Sequence, residues 1–247
     1  MTRAFILLAL LALALGACTT APPRTAAGLV PLGPCPPSSW RPEAPPPSAS
    51  EKQSMVLLAM REWQRFGGQV ITYLPDGPPR VDRPGLQELD ESQRVGDYWR
   101  AVDKPERNGR DGIAWSAAFI SWDIASAGVP RDLFCPDQAH TIYVERLVDR
   151  AKRPGAGLIP RRPDVRAPQV GDLICATRDR GTTSLDNLNR GPGHCDIVVE
   201  VGPRHLQAIG GNVGDSVTLS NYPLDAAGFL TPLSAHPIFT VIENRLP

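Results

Sequence analysis

The apolar residues of this 247-residue chain change their periodicity once, and that change constrains the fold. Up to about residue 152 they recur with helical spacing, most clearly where Val56, Ala59, Met60 and Trp63 form one stripe. From residue 173 onward, short runs rich in Val, Ile and Leu alternate with turn residues, which is typical of strands. This order predicts an α+β fold with helices packed on one side of a small antiparallel sheet.

Cap and turn residues set the expected bounds of these elements. The predicted helices are residues 50–66, about 95–102, 115–127 and 138–152. The predicted strands are residues 173–177, 196–201, 206–209, 216–219 and 239–243. The polar segments 75–90 and 178–193 are expected to form loops, and no internal repeat is present.

The first residues predict a lipoprotein signal peptide over residues 1–17. Arg3 precedes an apolar run at residues 5–15, which is too short for a permanent membrane span. The following Leu15-Gly16-Ala17-Cys18 resembles a bacterial lipobox, in which Cys18 is lipidated and becomes the first residue. An ordinary signal peptide is the alternative. Because Thr19 rather than Asp follows, we expect lipid anchoring at the outer membrane, facing the periplasm.

Residues 18–49 are predicted to form a Pro-rich tether, since ten of the 27 prolines fall within residues 21–47. Residues 50–247 are then sufficient for one well-cored domain. The formal net charge is zero and no basic block occurs, which argues against a nucleic-acid partner. No cofactor is expected, and a protein partner is left open.

Four cysteines besides Cys18 are candidates for disulfides in an oxidising compartment. Cys175 and Cys195 are able to pair if they lie on neighbouring strands, which leaves Cys35 with Cys135; the other pairings stay open. A zinc site built from Cys135, His140, His194 and Cys195 is the rival interpretation. Because this set lacks a Cys-x-x-Cys pair, no metal is expected.

Ser116 is the candidate nucleophile, because it lies in the first turn of the helix predicted at residues 115–127. Unpaired backbone N–H groups and the helix dipole stabilise an anion at that position. A nearby N–H group is also able to help form an oxyanion hole. The alternative is that Ser116 serves only as a favoured helix-start residue.

His194 is the best placed of the four histidines, because it opens a strand, whereas His205 and His236 fall in a turn and a late loop. Strand alternation places Asp196 on the same face as His194. If a hairpin turn lies at residues 202–203, a loop of two or four residues brings Asn212 beside His194. Asn212 is therefore expected to orient the ring.

These segments jointly resemble known cell-wall hydrolases. The sequence WSAAFISW at residues 115–122 resembles the nucleophile helix of CHAP amidases and NlpC-type peptidases. Residues 171–174 resemble their first core strand, residues 193–199 their histidine strand, and residues 211–212 their third polar position. The chain is also similar to a bacterial domain family of unknown function that carries Ser in this motif. The resemblance spans residues 63–222.

The resemblance implies a papain-like, CHAP/NlpC-type domain with Ser116 as nucleophile, His194 as base and Asn212 as the orienting residue. The candidate substrate-binding residues are Trp115, His140 and Asp196. Two departures stand out: Ser116 replaces Cys, and Gly211 stands where relatives often have Glu. A hydroxyl needs a better-placed base than a thiol does, because it does not ionise near neutral pH.

Three functions follow from this interpretation. The first is a lipid-anchored peptidoglycan amidase or endopeptidase that uses Ser in place of Cys, with peptidoglycan as partner and the lipid as membrane anchor. The second is a catalytically inactive module of the same fold that binds peptidoglycan or a protein. The third is an acyl hydrolase or transferase on another substrate, since a fold alone does not fix function.

Overall fold

The described residues form four helices and eight strands. In the computed structural model these residues are 31–42, 49–178 and 183–247. The helices are α1 (Glu51–Arg65), α2 (Ser92–Arg100), α3 (Ser116–Ser126) and α4 (His140–Arg150). The strands are β1 (Gln69–Thr72), β2 (Arg80–Arg83), β3 (Leu158–Arg161), β4 (Leu173–Thr177), β5 (Gly193–Val201), β6 (His205–Val213), β7 (Ser216–Pro223) and β8 (Ile238–Asn244). The α+β class is confirmed.

The eight strands form one mixed sheet in the order β2-β1-β7-β6-β5-β4-β8-β3. β1 runs parallel to β7, while the other neighbours are antiparallel, so the prediction of a purely antiparallel sheet is wrong at this side. β1, β2 and β3 were not predicted. Each has four residues, too few for a clear alternation, and β2 is exposed along its whole length.

The helices lie against one face of the sheet, as predicted. Cys195 and Ile197 on β5 join the core formed with the helices, whereas Val198 belongs to a second cluster with the loop residues Leu224 and Leu233. α3 is the most enclosed helix: ten of its eleven residues are buried, because it contacts α1, α2, β5 and β6. This packing fixes the position of the α3 N-terminus relative to β5.

A buried ion pair joins α1 to α2. Arg94 donates to both carboxylate oxygens of Glu62, at 2.6 and 2.8 Å, and the Tyr98 hydroxyl donates to the same carboxylate at 2.6 Å. Burial acts to raise the pKa of Glu62, but the Arg94 guanidinium outweighs it and holds the pKa below its usual range. The guanidinium also lies over the Trp122 ring of α3, at 4.5 Å from its centroid, so the pair connects three helices.

Residues 32–247 form one compact unit, which includes part of the segment predicted as a tether. Cys35 is disulfide-bonded to Cys135, Arg131 donates to the Pro36 carbonyl at 2.7 Å, and Trp40 packs against the core. The tether prediction is therefore wrong for residues 32–42, because these contacts attach them to the domain.

The signal peptide of residues 1–17 and the lipidation residue Cys18 lie outside the described residues. Within the described ranges, no helix combines the length and the apolar character that crossing a membrane requires.

Candidate active site

The start of α3 is held by Trp115, which occupies the N-cap position. Its side chain is fully buried, near the rings of Phe66 and Tyr98, and its indole N–H donates to the Glu88 carboxylate at 2.6 Å. The prediction that Trp115 binds substrate is therefore not supported by its position. Instead, it anchors the helix turn that carries Ser116.

Ser116, His194 and Asp196 form a continuous hydrogen-bonded chain. The Ser116 Oγ atom lies 2.7 Å from His194 Nδ1, and His194 Nε2 lies 2.7 Å from Asp196 Oδ1. Asp196 and His194 are completely buried and Ser116 is 4% exposed, so the three residues are enclosed by the domain. With Nε2 protonated toward the carboxylate, Nδ1 is free to accept the hydroxyl proton.

Asp196 therefore orients His194, rather than contacting substrate as the sequence suggested. It lies two residues after His194 on β5, and its second oxygen accepts a hydrogen bond from the Tyr222 hydroxyl on β7. Burial acts to raise the Asp196 pKa, but the charge of His194 and the two hydrogen bonds outweigh it, and the pKa is lowered. The carboxylate thus stays ionised and accepts a hydrogen bond from His194 Nε2.

His236 and Tyr73 complete the buried surroundings of this carboxylate. The His236 ring centre lies 5.7 Å from that of His194, and its Nε2 lies 3.4 Å from the Tyr222 hydroxyl. Tyr73 stacks on both His236 and Tyr222, at 4.4 and 4.6 Å between ring centres. Burial lowers the pKa of His236 to about 3, so this ring is neutral near neutral pH and adds no charge to the site.

Two glycines leave room for these side chains. A Cβ atom on Gly210 would lie 1.7 Å from Asp196 Oδ1 and 3.0 Å from His194 Nε2. A Cβ atom on Gly211 would lie 2.6 Å from side-chain atoms of both Trp115 and Phe119. The Gly-Gly pair on β6 is therefore required for α3 and the His194–Asp196 pair to approach the same strand.

The prediction that Asn212 orients His194 is wrong. The Asn212 amide nitrogen lies 3.4 Å from Glu88 Oε2 and 3.5 Å from Asp215 Oδ1, while His194 Nε2 is already occupied by Asp196. Asn212 has a φ of 57°, and the β6–β7 register shifts between Gly210 and Val213. This irregular backbone turns the side chain away from the position that a regular hairpin would give it.

His140 lies where the sequence predicted, beside the reactive pair. Its ring centre lies 5.7 Å from that of His194, and its Nδ1 lies 2.5 Å from the Tyr143 hydroxyl. His140 Nε2 is buried and has no hydrogen-bond partner among the described residues. Burial lowers the pKa of His140 well below its usual value, so the ring is neutral.

Arg178 lies directly after β4, and its positive charge is close to the His194 ring. Its Nη2 atom lies 3.3 Å from His194 Nδ1, the nitrogen that also contacts Ser116. Arg178 is exposed, in contrast to the buried carboxylate on the other side of the imidazole. The reactive nitrogen of His194 is therefore bordered by one hydroxyl and one permanent cation.

The strand that carries His194 is covalently braced. Cys175 on β4 and Cys195 on β5 are directly paired in register and form a disulfide, with Cα atoms 4.1 Å apart. With the Cys35–Cys135 bond, this is the pairing that the sequence suggested. The bonded thiols have no part in a zinc site, and no group of three metal-binding side chains is found in the described ranges.

Sequence reasoning found Ser116, His194, His140 and Asp196 but missed Tyr222, His236 and Arg178. β7 was predicted to end at residue 219, whereas it continues to Pro223, so Tyr222 was left outside the sheet. His236 and Arg178 lie just outside strands, in segments assigned to loops. Their proximity to His194 depends on strand order, which local sequence patterns do not contain.

The profile of a family described as "Uncharacterized protein conserved in bacteria (DUF2272)" matches residues 90–240, which include Ser116, His194 and Asp196 but not Tyr73. No curated protein and no solved structure matches the chain.

Proposed function

The chain belongs to the bacterial family DUF2272, and we propose that it is a serine-dependent amide hydrolase of the cell envelope that acts on peptidoglycan. The observation that carries this proposal is the unbroken chain from Ser116 Oγ through His194 to the buried Asp196 carboxylate. A nucleophile, a base and an orienting group within hydrogen-bond reach are what acyl transfer requires.

The proposed fold is papain-like, of the CHAP/NlpC type. Three features support it: Ser116 begins a buried helix, His194 lies at the start of a strand, and that helix contacts the strand and its neighbour. The third member differs from the motif expectation, because Asp196 comes from the histidine strand itself. Asp196 is a stronger partner for an imidazolium than a neutral amide would be, which suits a site that must activate a hydroxyl.

The reaction proceeds in two balanced halves. The Ser116 Oγ atom attacks the amide carbon while its proton passes to His194 Nδ1, and Asp196 stabilises the imidazolium. The C–N bond then breaks as the imidazolium returns the proton to the leaving amine, which leaves an ester on Ser116. Water repeats the sequence on the ester, with His194 accepting its proton, and releases a carboxylic acid and free Ser116. First-turn backbone N–H groups of α3 are the oxyanion donors.

Peptidoglycan is the proposed substrate because the motif resemblance and the lipobox both point to the envelope. Lipidation at Cys18 would place the domain at a membrane, and the two disulfides suit an oxidising compartment such as the periplasm.

An acyl hydrolase or transferase acting on another substrate would use the same three residues. The identity of the substrate is therefore tested separately from the identity of the nucleophile.

A fluorophosphonate reagent, which reacts covalently with activated serine hydroxyls, tests the nucleophile. The proposal predicts a single adduct on Ser116, found by peptide mass spectrometry, and at least a tenfold slower reaction in Asp196→Asn. Ser121→Ala serves as the control, because this buried hydroxyl on the same helix bonds to the Asp137 backbone instead. An absence of labelling in a folded protein would contradict an activated Ser116.

A non-catalytic binding module of the same fold is the second candidate. It is favoured by the 4% exposure of Ser116, which leaves little of the hydroxyl accessible. This candidate predicts that sacculi retain the wild-type chain and Ser116→Ala equally, with no fragments released by either. Released fragments that require Ser116 would eliminate it.

A further inference from the structure

We propose that Arg178 and His140 form a carboxylate-binding subsite beside Ser116, so that the substrate carries a free C-terminal carboxylate next to the cleaved amide. The inference rests on the proposed function and makes it more specific, because it describes a carboxypeptidase-like activity rather than cleavage within a peptide. Neither residue is needed for the proton transfer between Ser116 and His194.

Arg178 places a permanent positive charge next to the reactive nitrogen of His194. Its Nη2 lies 3.3 Å from His194 Nδ1, and a guanidinium does not lose its proton in proteins. Among the described residues, the contact seen for this guanidinium is His194 Nδ1 and no carboxylate pairs with it, so it is available to an anionic group of the substrate. Such a group is a stronger ligand for a guanidinium than a neutral imidazole nitrogen is. It also gives the guanidinium a ligand other than the nitrogen that must act as base.

The unpaired Nε2 atom of His140 supports the subsite independently of Arg178. Among the described residues, the only hydrogen-bond partner of the Tyr143 hydroxyl is His140 Nδ1, at 2.5 Å, and burial raises the Tyr143 pKa well above its usual value. The hydroxyl therefore keeps its proton and donates it to Nδ1, which places the imidazole proton on Nε2. That N–H is buried and finds no acceptor among the described residues.

A buried donor without an acceptor is unfavourable, and a ligand acceptor would remove that cost. His140 is 4% exposed and its ring lies next to His194, so such a ligand would lie at the reactive pair. A carboxylate fits both donors, because a guanidinium binds its two oxygens in a planar fork and a neutral N–H adds a third bond. The single positive charge of Arg178 matches the single negative charge of a substrate carboxylate.

Binding to the full-length chain carrying Ser116→Ala tests the subsite without turnover. Isothermal titration would compare a synthetic peptidoglycan stem pentapeptide that ends in a free carboxylate with the same peptide ending in a carboxamide. We expect the carboxylate form to bind at least tenfold more tightly. Adding Arg178→Gln should reduce that preference below threefold, while adding Arg204→Gln, at the exposed β5–β6 turn, should leave it intact. Equal affinities for the two peptides, or a preference that survives Arg178→Gln, would overturn the proposal.

His140→Leu should weaken the binding of the peptide with a free carboxylate by about tenfold. His140→Gln, which keeps an N–H donor, should recover part of this lost affinity. A thermal transition measured for each variant separates lost binding from lost folding, and Tyr143→Phe serves where His140→Leu does not fold. If a folded His140 or Tyr143 variant bound the carboxylate peptide and the carboxamide peptide with equally reduced affinity, His140 would not be a donor to the carboxylate.

Turnover by the chain with Ser116 intact separates this proposal from the function on which it rests. Arg178→Gln should raise KM for the peptide with a free carboxylate at least tenfold, while kcat and the rate with the carboxamide peptide should not fall. An equal loss of kcat on both peptides would instead make Arg178 an oxyanion donor and overturn the carboxylate subsite. A carboxylate preference without any hydrolysis would retain the subsite and refute the hydrolase.

Discussion

His194 Nε2 and Asp196 Oδ1 lie 2.7 Å apart on alternate positions of one strand, so a single strand supplies both the base and its orienting group. Strand alternation alone places the two side chains on one face, and the missing side chain of Gly210 on β6 gives them room. Together with the Cys175–Cys195 disulfide, this arrangement holds the imidazole in place before any substrate arrives.

Asp196→Asn should lower kcat by roughly 1,000- to 10,000-fold and leave the fold intact, because a neutral amide no longer stabilises the imidazolium or fixes its tautomer. The measurement is kcat on released peptidoglycan fragments, with the thermal transition recorded in parallel. Asp186→Asn is the control, since that side chain is 80% exposed. A variant that retains more than a tenth of the activity would remove Asp196 from the mechanism.

Gly210→Ala should abolish activity and destabilise the protein by about 1–3 kcal/mol, because the added methyl overlaps Asp196 Oδ1. Gly33→Ala is the matched control, since a Cβ atom added there would meet nothing within 4 Å. Denaturant unfolding gives the stability and fluorophosphonate labelling gives the state of Ser116. Normal labelling in Gly210→Ala would show that this close approach is not needed for the site.

Because His236 is buried in its neutral form, we expect the free energy of unfolding to decrease at acidic pH. Its folded pKa of about 3 lies below the ordinary 6.5, so between these values the unfolded chain holds more protons than the native state. Stability from the neutral ring is complete above pH 6.5 and falls as the pH drops toward 3. His236→Gln should flatten this slope by up to ~1.4 kcal/mol per pH unit in urea titrations. Parallel curves for the two proteins would contradict a neutral buried His236.

Arg94→Met should destabilise the protein by about 3–5 kcal/mol, because it leaves the buried Glu62 carboxylate with only the exposed guanidinium of Arg61, at 3.4 Å. The double variant Glu62→Leu/Arg94→Met should recover part of that loss, since no uncompensated charge remains. Arg65→Met, which breaks the more exposed pair with Glu91, should cost less than about 1 kcal/mol. Guanidinium unfolding midpoints test all three. Similar costs for Arg94→Met and Arg65→Met would refute the role assigned to the buried pair.

The elements that local patterns specify were predictable from the sequence. Apolar periodicity placed all four helices, and alternation placed Asp196 on the face of His194. The error at Asn212 came from assuming a regular hairpin, whereas Asn212 has a φ of 57° and the β6–β7 register shifts between Gly210 and Val213. Such a shift depends on how α3 and β7 pack against β6, and no local pattern encodes it.

Local sequence patterns also do not encode strand order, which is why Tyr222 and Arg178 were missed. Tyr222 reaches Asp196 only because β7 lies two places from β5 in the sheet, with β6 between them. Arg178 follows a strand by one residue, and only the pairing of β4 with β5 brings it to His194. Both contacts are consequences of strand order.

The most direct test of the serine hydrolase is digestion of purified sacculi by the wild-type chain and by Ser116→Ala, with released fragments identified by mass spectrometry. The account predicts fragments with newly formed carboxyl and amino ends from the wild type and none from Ser116→Ala, whose thermal transition should be unchanged. Equal release from both proteins, or release from neither while both remain folded, would contradict cleavage of peptidoglycan by Ser116.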